Sequence, residues 1–140
     1  MASDHDHSNV PTDLTKNQGL VLGTLTGSVG PLSAYDILDK LRDDGLRAPL
    51  QVYRALDKLM ERGLAHRLES LNAFVACADV HCHRKGILAF AICEDCGKVD
   101  EFSDDVVQER LNGWGERAGF KATRATIELR GQCRECLKAA

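Results

Sequence analysis

Apolar positions along the first half of the chain fall into three helical stripes and then switch to alternation. Val21, Leu22 and Leu25 have helical spacing, and Thr15-Lys16-Asn17-Gln18 ahead of them has the form of a capping box, in which the Thr hydroxyl and the Gln amide satisfy exposed backbone N–H groups. Gly27 to Pro31 breaks this helix. Ser33 opens a second one with Ala34, Ile37, Leu38 and Leu41 on one face, and Asp44-Gly45 ends it. A third helix is predicted from Pro49, tolerated in a first turn, to Arg62, with Gly63 as its stop. Its inward stripe is Val52, Leu56, Leu59 and Met60, which leaves Gln51, Tyr53, Arg54, Asp57 and Lys58 on other faces. From Leu64 to Ala76 the pattern reads as two strands around Ser70-Leu71-Asn72. Three helices followed by a hairpin is the order of a winged helix-turn-helix.

The second half begins after Cys77 with a Cys/His-rich stretch. Leu88 to Ile92 and Val99 to Phe102 read as strands on either side of Cys93-Glu94-Asp95-Cys96-Gly97. Val107, Leu111, Trp114 and Ala118 have helical spacing, although Gly113 and Gly115 each weaken that helix by about 1 kcal/mol relative to Ala. Ala125, Ile127 and Leu129 alternate with polar residues in a last strand before Cys133-Arg134-Glu135-Cys136. The expected organisation is α+β: a tail over residues 1–13, a winged-helix domain over 14–77, a hinge over 78–86 and a small α/β domain over 87–140.

Composition narrows the function. The chain has 140 residues, 44% hydrophobic and 28% charged, so each of two small domains has a modest core. A net charge of -3 argues against general electrostatic attraction to nucleic acid or anionic lipid, so basic charge must be local if DNA is the partner. No apolar run approaches a membrane span and the acidic start is unlike a signal peptide, so the expected setting is the cytosol. In a reducing cytosol, six cysteines point to metal or redox chemistry rather than to disulfides.

The strongest chemical signal is the pair Cys93-x-x-Cys96 and Cys133-x-x-Cys136. Two such turns supply four thiolates to one tetrahedral Zn²⁺ with no open position, which makes a structural site. A thioredoxin-like redox pair would need one such motif beside a βαβ unit, and this chain has two without it. A more diffuse set is His66, Cys77, His81, Cys82, His83 and Glu101. Each has a bland reading alone, yet together they place N, S and O donors on both sides of the expected domain junction, a mixed set that suits zinc. Between Arg47 and Arg67 five basic residues face two acidic ones, so the local positive charge coincides with the third helix. Tyr53 and Arg54 are candidates there for base and phosphate contacts, with Gln51, Lys58 and, at the head of the first helix, Lys16 beside them. No phosphate-binding loop, nucleophile elbow or H-E-x-x-H helix is present, which makes an enzyme the weaker class.

The runs Ser33-Ala34-Tyr35-Asp36, Val52-Tyr53-Arg54-Ala55-Leu56, His66-Arg67-Leu68-Glu69-Ser70 with Asn72, and Cys93-x-x-Cys96-Gly97-x-Val99-x-Glu101-Phe102 resemble the ferric uptake regulator family, and within it the zinc uptake regulator branch. The likeness spans roughly residues 14 to 137. It implies a winged-helix DNA-binding domain, an α/β dimerisation domain, and a homodimer that binds double-stranded operator DNA and represses zinc-uptake genes when zinc is plentiful. It implies two zinc ions per chain. Cys93, Cys96, Cys133 and Cys136 match the structural site; His66, Cys77 and Glu101 match three ligands of the sensing site, with His83 as the fourth and His81 as the alternative. Thr15-Lys16-Asn17-Gln18 departs from the Thr-Pro-Gln-Arg common in the family, and Cys82 has no counterpart there. The resemblance implies no enzymatic activity, no small-molecule substrate and no membrane association. The rival readings are an iron, manganese or peroxide sensor of the same family, a small zinc-dependent hydrolase with Glu101 as general base, and a zinc-ribbon adaptor.

Overall fold

The computed structural model describes residues 13–77 and 87–139, and the chain divides into two compact units, Met1–Val80 and His81–Ala140. In the first unit α1 (Lys16–Thr26) starts with the expected capping box. The Thr15 hydroxyl accepts from the Gln18 N–H and the Gln18 side chain accepts from the Thr15 N–H, both at 3.2 Å. The same reciprocal cap, Ser33 with Asp36, opens α2 (Ala34–Leu41). A single 3₁₀ turn (Arg42–Asp44) and Gly45, whose φ of 105° only glycine adopts easily, redirect the chain. Leu46 then plunges fully into the core and fixes the turn before α3 (Pro49–Glu61).

The core of this unit is made by the three helical stripes together: Val21, Leu22 and Leu25 from α1, Ile37, Leu38 and Leu41 from α2, and Val52, Ala55, Leu56 and Leu59 from α3. Met60, expected inside, is only partly buried and packs at the edge, while Ala55 takes an inward position. β1 (Ala65–Leu68) and β2 (Ala73–Ala76) form the antiparallel wing, with His66 opposite Val75. Asn72 at its tip has a φ of 49°, the left-handed geometry that Asn tolerates, and Leu32 bridges to Phe74 to tie the wing back to the start of α2.

The second unit has a three-stranded sheet in the order β4-β3-β5. β3 (Ile87–Cys93) pairs antiparallel with β4 (Val99–Phe102) and parallel with β5 (Ala125–Gly131), and the crossover between β4 and β5 carries α4 (Asp105–Ala118). Asp104 caps α4 by accepting from the N–H groups of Val106 and Val107. Gly119, at φ 68°, ends it. A short α5 (Arg134–Ala139) follows. Among the described residues of this unit the buried apolar side chains are Ala89, Phe90, Ile92 and Cys93, all on β3. Val107, Leu111 and Trp114, a stripe that a helix normally packs inward, remain exposed on α4 within the single chain. The two glycines have different roles: a Cβ on Gly115 would lie 2.7 Å from the Phe120 carbonyl oxygen, whereas Gly113 has room.

Candidate metal centres and nucleic-acid interface

Parallel pairing of β3 with β5 places Cys93 opposite Gly131, so the two Cys-x-x-Cys segments emerge at the same end of neighbouring strands. Cys93 and Cys96 sit on a tight turn that Gly97 completes at φ 81°; Cys133 immediately precedes α5 and Cys136 lies in its first turn. Further bonds lock the two segments together: the Glu94 N–H donates to the Gly131 carbonyl at 2.7 Å, Arg130 pairs with Glu94 at 3.1 Å, and Gln132 donates to Asp95 at 2.6 Å. Sequence reasoning overlooked these clasps. Their only trace was the polar residues interleaved with the cysteines.

The four sulfurs form a compact cluster, all within 4.8 Å of one another. Cys93 Sγ lies 3.6 Å from Cys136 Sγ, and Cys96 Sγ 3.7 Å from Cys133 Sγ. A regular tetrahedron with Zn–S bonds of about 2.3 Å has S–S edges of about 3.8 Å, so the spacing fits zinc with little movement. Electrostatics lead the same way. N–H groups of Cys96 and then Cys133, at 3.5 and 3.3 Å, draw the Cys93 thiol down to about 6, toward the thiolate form that a metal ligand requires. The neighbouring sulfurs of Cys93 and Cys133 push the Cys136 thiol strongly upward. Four thiolates cannot share this volume unless a cation neutralises them, and all four cysteines are free thiols.

In the first unit, His66 on β1 is buried, and Cys77 follows β2 with its N–H on the Leu64 carbonyl at 2.9 Å. Cys77 is two residues beyond Val75, the cross-strand partner of His66, so the pleat turns both side chains to one face. Their donor atoms approach within 4.8 Å. The Cys77 sulfur is disulfide-bonded in this structure. A disulfide sulfur does not ligate zinc, so ligation requires the reduced thiolate. Glu101 lies on β4 of the second unit. His81, Cys82 and His83, with the 78–86 hinge, fall outside the described residues, as do residues 1–12 of the tail; Asp13, the last of the expected tail, pairs with Arg62 at 2.9 Å.

On α3, Tyr53, Arg54 and Lys58 are exposed, and Lys58 lies 3.3 Å from Glu61. Gln51, Arg54 and Lys58 line one open cleft with Thr15, Asn17 and Gln18 at the head of α1; Lys16 is exposed beside it. Arg54 is thus an exposed arginine on the second helix of the helix-turn-helix.

Residues 14–130 match the ferric uptake regulator family. The chain belongs to that family. The zinc uptake regulation protein of Escherichia coli strain K12 is 37% identical over 128 residues, covering 89% of this chain and 73% of that protein. A zinc uptake regulator solved in complex with zinc and DNA has a TM-score of 0.83 and 34% identity, covering 96% of this chain and 88% of that one. The holo form of XcZur gives a TM-score of 0.80 with 38% identity, covering 91% of this chain and 87% of that one. Both structural likenesses cover more than nine-tenths of this chain, and with the Escherichia coli relative they group it with the zinc uptake regulators of the family.

Proposed function

We propose that this chain is a zinc-responsive transcriptional repressor that binds operator DNA as a homodimer and controls zinc-uptake genes. The observation that carries the reading is a four-thiol cluster already at zinc spacing in a chain similar, over almost its whole length, to a regulator solved with zinc and DNA. The four-cysteine zinc is structural: with four protein ligands it has no open coordination position, which argues against the hydrolase reading. Family members are transcription regulators rather than enzymes. No helix among the described residues is long and apolar enough to cross a membrane, which accords with work in the cytoplasm.

The second, regulatory zinc is held by reduced Cys77, His66, Glu101 and a histidine of the hinge, His83 or, failing it, His81. The convergence of His66 and Cys77 on one face of the wing supports this set. A thiolate among the ligands favours zinc over iron or manganese. Ligands drawn from the wing, the hinge and the second unit let one ion select a single arrangement of the two units. Zinc then strengthens DNA binding, and by linkage DNA strengthens zinc binding. A second copy of the chain covers the exposed apolar residues of α4 and the outer edge of β5, which has no strand partner among the described residues.

The test is a zinc titration of the reduced protein, with bound zinc counted per chain and binding to promoter fragments of zinc-transport genes followed in parallel. Two zinc ions per chain are expected, with DNA affinity rising on the second. Affinity that ignores the second zinc overturns the repressor mechanism.

A further inference from the structure

The recognition helix α3 begins without an ordinary cap. Ala48 occupies the N-cap position and has no side-chain oxygen, and Pro49 follows it with no N–H. Gln51 supplies the missing acceptor from inside the helix. Its Oε1 accepts from the Arg47 N–H at 2.8 Å and from the Ala48 N–H at 3.1 Å. Both partners are donors, so only the carbonyl end of the amide can face them, and the two bonds occupy both of its lone pairs. The amide is planar, so fixing the oxygen on the backbone fixes the direction of Nε2. That nitrogen donates to no group among the described residues, and Gln51 lines the same open cleft as Arg54 and Lys58.

A glutamine free to rotate offers DNA a donor and an acceptor, and it reads adenine through N7 and N6 together. Gln51 lacks that option because its acceptor is consumed by the helix cap. We propose that Gln51 is a specificity-determining residue of the DNA interface that acts as a donor only, selecting a base whose major-groove edge presents acceptors, guanine foremost, and rejecting cytosine. This rests on the operator-binding reading above. It assigns Gln51 two simultaneous tasks, and the capping task dictates what the reading task selects.

The experiment is selection from a pool of random-sequence duplex DNA by the full-length, zinc-loaded dimer, comparing wild type with Gln51→Glu and Gln51→Met. In Gln51→Glu one carboxylate oxygen keeps the cap and the other faces outward as an acceptor. Thermal stability is therefore retained, while the preference at one base pair of each half-site inverts from guanine to cytosine, a change of about three- to tenfold in relative affinity for each base. A purely structural cap would leave the selected motif unchanged in Gln51→Glu, and that result overturns the proposal. A wild-type preference for adenine at the affected position overturns it as well. If added charge prevents enrichment, Gln51→Met decides: loss of discrimination at that one position supports the proposal, and an intact motif refutes it. A wild type that enriches no motif overturns the operator reading together with this one, whereas an enriched motif indifferent to residue 51 overturns this one alone.

Discussion

Replacing Cys93 by Ser removes the buried thiol of the four-sulfur cluster, and its effect can be sized from the two units separately. At about 0.05–0.15 kcal/mol per residue, a unit of roughly 60 residues such as His81–Ala140 has an expected stability of about 3–9 kcal/mol. Among the described residues its buried apolar side chains are those of β3, whereas the first unit draws on three helices and the wing. Structural zinc contributes about 10–16 kcal/mol in small zinc domains, which exceeds that whole expectation. Cys93→Ser, or a strong chelator on the wild type, should therefore unfold the second unit and leave the first folded. Calorimetry should show one of two transitions lost, and hydrogen exchange should show protection surviving in Val21, Leu56 and their neighbours but not in β3 and β5. A Cys93→Ser protein with the wild-type zinc content and an unmoved second transition would refute the assignment.

Arg54→Ala should weaken binding to the selected operator by about 1–3 kcal/mol with fold and zinc unchanged, while Lys58→Ala should reduce the salt slope and weaken all sequences alike; equilibrium binding at several salt concentrations on operator and scrambled duplexes separates them. Leu111→Asp, on the exposed face of α4, should weaken the dimer by about a hundredfold or more, since each copy loses the burial of one Leu at about 1.5–3 kcal/mol; sedimentation equilibrium measures it. Cys77→Ser and His66→Ala should each bind one zinc per chain and lose zinc-dependent DNA binding while remaining dimeric. Wild type with Cys77 oxidised should behave like these variants until a thiol reductant restores the second zinc, as metal counting before and after reduction will show.

Local chemistry was legible wherever a few adjacent residues decide the outcome. The Thr15 capping box, the opening of α2 at Ser33, the Gly45 turn, the wing tip at Asn72 and all five strands follow from short patterns. The four-cysteine cluster was legible because its spacing encodes its chemistry. Exposure of Leu111 and Trp114 was not, because an apolar helical stripe looks the same whether its own sheet or a second chain covers it. Nor was the capping role of Gln51, which depends on a loop turning back to within reach of its amide. The segment at Cys133 reads as a turn in sequence, yet the structure puts Cys136 inside α5; a six-residue helix is too short for periodicity to reveal.

The parallel partnership of β3 and β5 has a kinetic side. Every other strand pair among the described residues joins neighbours along the chain, but Cys93 meets Gly131 only after the whole of β4, α4 and the following loop have been spanned. Closing a loop of roughly 40 residues costs about 4 kcal/mol of chain entropy before any contact repays it. The first unit, with its helices and hairpin in sequence order, has no such delay. Refolding of the second unit should thus wait on the meeting of two distant cysteine pairs. An ion that captures Cys93 and Cys96 first and then recruits the second pair would set the pace, so the refolding rate should depend on the concentration of free zinc.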